Sequence, residues 1–229
     1  MGRGQPLPAT MPKFDISRGT KKYYPDVNTI NPDIWGKKCF VIAGGSSGRR
    51  FDLKLLDNYF TIGINFVYFK YDPNIIFMID SAAYKRAIQN KKFKISTALK
   101  IWCLYYNYEM DDIYYLRPCG RYGISRSLED GLYHGNNSGY CGIQLAIALG
   151  FTEINLIGVD CNTENGKWHL TDNWQHRPDM LRTMNDFREG YEKLATEIKK
   201  TDIKIYNLNE KSAVKGFPFK TFTEALNVQ

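Results

Sequence analysis

The chain has 229 residues, 43% of them hydrophobic and 14% aromatic, enough to bury one sizeable core, which excludes a disordered or collagen-like polymer. Lys and Arg number 31 against 24 Asp and Glu, a formal charge of +7 that favours anionic partners such as nucleotides, phosphates or nucleic acid. No run approaches the ~20 apolar residues of a membrane span, and the beginning lacks the apolar region of a signal peptide, so a soluble, cytoplasmic protein without a transmembrane segment is expected.

Residues 1–35 are rich in Pro, Gly and Lys without a sustained period and read as an N-terminal extension, leaving residues 36–229 as a single domain. From Lys38 the pattern becomes one of short apolar, β-rich runs. These are CFVIA ending at Gly44-Gly45, YFTIGI (59–64), NIIFMI (74–79), LKIWCLYY (99–106), DIYYL (112–116), INLIGV (154–159) and IKIYNL (203–208). Helical patterns lie between several of them: SAAYKRAIQN after Ile79, CGIQLAIAL before Gly150, and a long amphipathic stretch from Asp179 to Lys200. Alternation of strands and helices predicts an α/β fold, a doubly wound, mainly parallel Rossmann-like sheet with helices on both faces. In such a sheet the ligand crevice lies at the carboxyl ends of the strands.

The loops at those ends carry the candidate residues. Ala43 to Arg50 (AGGSSGRR) is a small-residue loop whose backbone amides can line an anion, with Arg49 and Arg50 beside it. It matches neither GxGxxG nor a P-loop, which argues against NAD and ordinary ATPase chemistry. Asn65 ends the second strand and Asp80 the third, where Asp80 can also cap the helix beginning at Ser81. Asn136-Asn137-Ser138-Gly139 opens a glycine-rich helix, with Ser138 able to cap it and Gly150 placed as its C′ residue. Its amino end suits a phosphate or carboxylate. Asp160 ends the next strand and can orient a ribose, a sugar hydroxyl or a neighbouring loop.

Of three histidines, His134, His169 and His176, two fall in the loop after Asp160, which reads as a lid over about residues 161–180 that also holds Lys167, Trp168, Trp174 and Arg177. Either lid histidine suits a general base. There is no HExxH, no DxD after a strand and no His/Cys cluster at ligand spacing, so no metal site is expected. The five cysteines are scattered and never spaced CxxC, which fits buried structural thiols. Asp111-Asp112 precedes a strand and reads as a turn cap, and the aromatic run WCLYYNYEMDDIYYL reads as sheet packing.

KKCFVIAGGSS, TIGINFVYF, NNSGYCGIQLAIALGFTEINLIGVD and IKIYNLNEKSAVKGF together resemble the bacterial sialyltransferase family that makes lipooligosaccharide termini, within a wider superfamily that includes 6-hydroxymethylpterin diphosphokinase-like proteins. The resemblance covers roughly residues 37–217. It implies a GT-A-like sialyltransferase variant of the Rossmann-like fold and a metal-independent transfer from a CMP-sugar donor to a glycan or small-molecule acceptor, with no cofactor required. On the residues of this chain it implies nucleotide contacts from Gly44, Gly45, Ser46, Asn65, Ser138 and Gly139, to which the loop positions add Asp80, Asn137 and Asp160. It also implies a general base at His176 or His169. The chain departs from the family in its shorter, more basic GGSSGRR loop and in Cys161-Asn162 after Asp160, where the family carries aromatic residues. Two alternatives stay open: ATP-dependent diphosphate transfer to a small alcohol, which would need magnesium, and binding or modification of nucleic acid through Arg49, Arg50, Arg117, Arg121 and Arg126. Oligomerisation is also open.

Overall fold

The strand β1 (Lys38–Ile42) is buried at all five positions. Each residue's neighbours differ by face, as a pleated strand requires. Cys39 and Val41 join the larger hydrophobic cluster, whereas Phe40 and Ile42 pack with Leu53, Leu56, Leu208 and Leu226 on the other side. A fully buried strand of this kind reads as a continuous apolar run rather than an alternating one.

The computed structural model describes residues 37–103, 113–163, 166–171 and 180–226. The N-terminal extension 1–35, residue 36, Asp111-Asp112 and the lid residues Trp174, His176 and Arg177 lie outside them. Further strands are β2 (Phe60–Ile64), β3 (Ile75–Met78), β4 (Leu99–Cys103), β5 (Ile113–Leu116), β8 (Glu153–Ile157) and β9 (Lys204–Asn207). They form one sheet in the order β5-β4-β3-β2-β1-β8-β9, every neighbouring pair parallel. The doubly wound parallel sheet expected from the strand-helix alternation is therefore the one found. Its winding reverses between β1 and β8, paired from Lys38↔Glu153 to Ile42↔Ile157, and that reversal creates the crevice.

The helices α1 (Ser81–Ala87), α2 (Lys91–Ile95), α3 (Ser138–Ala148) and α4 (Met180–Ile198) connect or follow the strands, and a short α5 (Phe222–Ala225) closes the described chain. From Gly139 to Ala148 every residue of α3 is buried. Gly142 lets α3 approach the sheet, because a Cβ there would strike Ile64 and come within 3.6 Å of Val41. Gly150 sits at φ +92°, the left-handed conformation of a C′ glycine. The second face of β1 is covered by the 3-10 turn Leu53–Leu56 and by α5. A two-stranded parallel sheet, β6 (Pro118–Gly120) and β7 (Leu132–Tyr133), was not visible in the sequence. No described helix is long and apolar enough to cross a membrane.

Candidate functional site

Several segments meet around a cavity of about 490 Å³ at the carboxyl edge of the sheet, a volume suited to a nucleotide-sized ligand. The loops after β1, β2, β3 and β8 form its floor, and the amino end of α3 and one face of α4 form its walls. Of the sequence candidates, Gly44, Gly45, Asn65, Asp80, Asn137, Ser138, Gly139, Asp160 and His169 all line it. Ser46 does not: it is 3% exposed, and its Oγ has no partner among the described residues. His176 lies outside the described residues.

Asp160 organises the glycine loop. One carboxylate oxygen accepts from the Ser47 N–H at 2.8 Å, and the other accepts from Ser47 Oγ at 2.5 Å and Asn209 Nδ2 at 2.9 Å. Of the roles open to it in sequence, holding a neighbouring loop is the one these bonds display. Gly45 has no substitute in this arrangement, since a Cβ there would collide with Asp160 and with the Gly158 carbonyl. Gly158 itself has φ +71°. The Gly45 N–H donates to Gly158 O at 2.9 Å, so that amide is spent on the fold, whereas the Gly44 N–H has no described partner.

The two arginines read as anion ligands are also spent on the fold. Arg49 Nε donates to His169 O at 2.9 Å and Arg50 Nη2 donates to Asn209 Oδ1 at 2.7 Å. Neither lines the cavity. With the Leu170 N–H donating to Gly44 O at 2.7 Å and a bridge between Gly45 and His169, they fasten the base of the lid loop to the glycine loop. That fastening carries His169 into the cavity wall.

The cap of α3 is Asn137, and Ser138 is the first helical residue, a shift of one from the sequence reading. Asn137 has extended backbone, and its Oδ1 accepts from the Gly139 and Tyr140 N–H groups at 2.7 and 3.2 Å. Those two amides are therefore occupied, and Ser138 is the group at this helix end left to meet a ligand. Asp80 caps α1 through a bond from the Ala82 N–H at 2.7 Å while still lining the cavity. Asn65 stands at φ +53°, a costly conformation for a side-chain-bearing residue, and its buried Oδ1 has no described partner.

Several lining residues escaped the sequence reading. Met184, Phe187 and Tyr191 come from one face of α4 at helical spacing, a pattern that in sequence signals only core. The Tyr191 hydroxyl donates to Asn137 Oδ1 at 3.2 Å, and its pKa is pushed up by burial and then by the Cys161 and Asp160 charges, so it remains a protonated donor. Cys103, Cys161 and His134 also line the cavity. Burial, and next the Asp160 charge, push the Cys161 thiol up to about 12. Cys39, Cys103 and Cys141 are buried as expected, but Cys119 is exposed. Among the described residues no three His, Cys, Asp or Glu side chains are grouped to hold a metal ion.

No family model matches the chain, and no curated protein matches it. Solved structures do. The sialyltransferase CstII from Campylobacter jejuni in complex with the substrate analogue CMP-3FNeuAc is 20% identical over 80% of this chain and 85% of its own, with a TM-score of 0.49. CST-II in complex with a trisaccharide acceptor and CMP is 19% identical over 84% of this chain and 88% of its own, with a TM-score of 0.49. The monofunctional alpha-2,3-sialyltransferase Cst-I from Campylobacter jejuni is 15% identical over 84% of this chain and 82% of its own, with a TM-score of 0.48. At these values the likeness transfers neither a substrate nor a residue role to this chain.

Proposed function

We propose that this protein is a metal-independent glycosyltransferase-like enzyme that takes a nucleotide-activated sugar, a CMP-sugar, as donor. The carrying observation is the convergence on one cavity of the Gly44 N–H and the Asn65 Oδ1, neither with a partner among the described residues, Ser138 at the amino end of α3, and His169. The Gly44 N–H and the Ser138 hydroxyl can serve a phosphate, and a carboxamide oxygen serves a donor group of a base or sugar. The motif blocks shared with the lipooligosaccharide sialyltransferases support the same reading.

In this reaction a lid histidine, His169 or His176, removes the proton of an acceptor hydroxyl as its oxygen attacks the anomeric carbon. The bond from that carbon to the phosphate oxygen breaks, and the nucleoside monophosphate leaves toward Gly44 and Ser138, where fixed donors meet the developing charge. Residues 36–229 act as one catalytic domain, and the lid loop excludes water.

Thermal stabilisation by CMP, CDP, UDP, GDP, AMP and ATP, with and without magnesium, tests the reading, because a ligand at 100 times its dissociation constant adds about 2.7 kcal/mol. Stabilisation by CMP without metal is expected. Stabilisation by ATP with magnesium alone moves the assignment to diphosphate transfer. In turnover, replacing the lid base by Ala should cost roughly 10² to 10⁴ while nucleotide binding persists; unchanged turnover in both His169→Ala and His176→Ala refutes the mechanism.

A further inference from the structure

His134 belongs neither to the lid nor to the residues singled out in sequence, yet it stands in the cavity wall beside Asn137 and Ser138. The small β6–β7 sheet places it there. The chain leaves β7 after Tyr133, and the His134 N–H donates to Gly120 O at 3.0 Å, with the Gly135 N–H donating to Arg121 O at 2.8 Å. The imidazole then enters the loop that ends at the α3 cap. Its Nδ1 accepts from the Asn136 N–H at 3.0 Å, so the neutral ring carries its proton on Nε2.

The charges around the cavity make that proton significant. Among the described lining residues there is no Lys or Arg, and His134 and His169 alone can bear a positive charge, against the carboxylates of Asp80 and Asp160. The phosphate of a CMP-sugar carries one negative charge in the donor and gains a second as the glycosidic bond breaks. The amides of Gly139 and Tyr140 are already taken by Asn137. Among the described residues, side chains at this helix end can therefore join the Gly44 N–H in meeting the second charge.

Resting on the nucleotide reading of the cavity, we propose that His134 serves the departing phosphate, its Nε2–H donating to a phosphoryl oxygen and its Nδ1 taking a proton from solvent in the product complex as the bond from the Asn136 N–H is released. The lid base handles the acceptor proton, and His134 handles the leaving group. Two titratable groups in one cavity with separate duties are the arrangement that lets one site run acid and base chemistry together. His134 is held below the ordinary histidine pKa, by burial first and then by the Arg121 charge, with an interaction of the Asn136 side chain acting the other way. Arg121, at the end of β6, is the charged group acting on it. From α4, Lys193 and Glu189 pair with each other at 2.5 Å, and both act on Arg121. The ring is therefore neutral at pH 7 before the nucleotide binds, and a dianion beside it reverses that bias.

Histidine-labelled NMR of the full chain, titrated with and without CMP, tests the proposal. The His134 signal is identified by its loss in His134→Gln. CMP should raise the His134 pKa by about one unit or more, the effect of an opposite charge within hydrogen-bond reach. His134→Gln, whose amide can still donate, should bind CMP at pH 8 more tightly than His134→Leu. CMP that raises the thermal stability of the protein but leaves the His134 pKa unmoved overturns this proposal and spares the nucleotide reading. CMP that stabilises nothing and shifts no signal overturns both.

Discussion

Replacing Asp160 separates a carboxylate that holds a loop from one that holds a ligand. Its two oxygens accept three bonds, from the Ser47 N–H, Ser47 Oγ and Asn209 Nδ2, and both partner residues are buried. Asp160→Ala removes every acceptor at once. An unsatisfied buried donor costs about 1–3 kcal/mol; with the Ser47 hydroxyl free to rotate and water able to enter the vacated space, the sum is about 3–4 kcal/mol. For a domain of this size one kcal/mol moves Tm by about 2–4 °C, so Tm should fall by about 10 °C. Asp160→Asn keeps the shape but turns an NH₂ group toward one of those donors, and about 2–3 kcal/mol is expected. Thermal and urea unfolding of both variants, followed by fluorescence of the four tryptophans, reads the effect. A Tm change below about 2 °C in Asp160→Ala, together with loss of nucleotide binding, would refute the loop-holding role and make Asp160 a ligand contact.

Two further outcomes follow from the electrostatics. Burial raises the Glu153 pKa, but bonds from Lys220 and Asn155 and the charges of Lys38 and Lys220 outweigh it, leaving the folded value below the ordinary one. A depressed folded pKa contributes stability above the unfolded value of about 4.3 and loses it as pH falls through the folded value. Wild type should therefore exceed Glu153→Gln in Tm at pH 6, with the gap closing below about pH 4; a gap independent of pH would show that the charge is not the source. Cys161 lines the cavity but, with its pKa near 12, has only about 10⁻⁴ of its thiol ionised at pH 8. Iodoacetamide followed by peptide mapping should label the exposed Cys119 well before Cys161, and the reverse order would contradict that account.

The sheet was legible because its strands are buried on both faces. β1, β2 and β3 have no exposed position, and such strands show as unbroken apolar runs ending in Gly, Asn or Asp. β6, β7 and α2 were not, since they are short and lack an unbroken apolar run. α5 carried an overlooked signal, the Thr221–Glu224 capping box. The positions of the site residues followed from the strand ends, but their duties depended on distant partners. Arg49 and Arg50 look like anion ligands in sequence, and their acceptors lie 120 and 159 residues away. Asn137 and Ser138 are equally good caps by residue type. The choice fell to Asn137, whose single oxygen reaches two amides and also accepts the Tyr191 hydroxyl.

That last bond explains how the cavity is held in shape. α4 turns Leu194, Ala195 and Ile198 into the core and Met184 and Phe187 into the cavity, and Tyr191 lies where the two stretches meet. Through Asn137 it ties the apolar wall from α4 to the helix end that offers Ser138. On the opposite strand loop, Asp160 ties the turn after β8 to the glycine loop through Ser47, and Arg49 ties that loop to the lid at His169. Polar donors thus stand on the parts fixed by buried hydrogen bonds, while α4 contributes mainly apolar surface. A ligand with one anionic end and one flat or apolar end meets both kinds of surface at once, which is the shape a nucleoside monophosphate presents and a free inorganic phosphate does not. Affinity should therefore rest on the nucleoside as well as on the phosphate, because donors already engaged in holding the fold leave few hydrogen bonds for the anion alone.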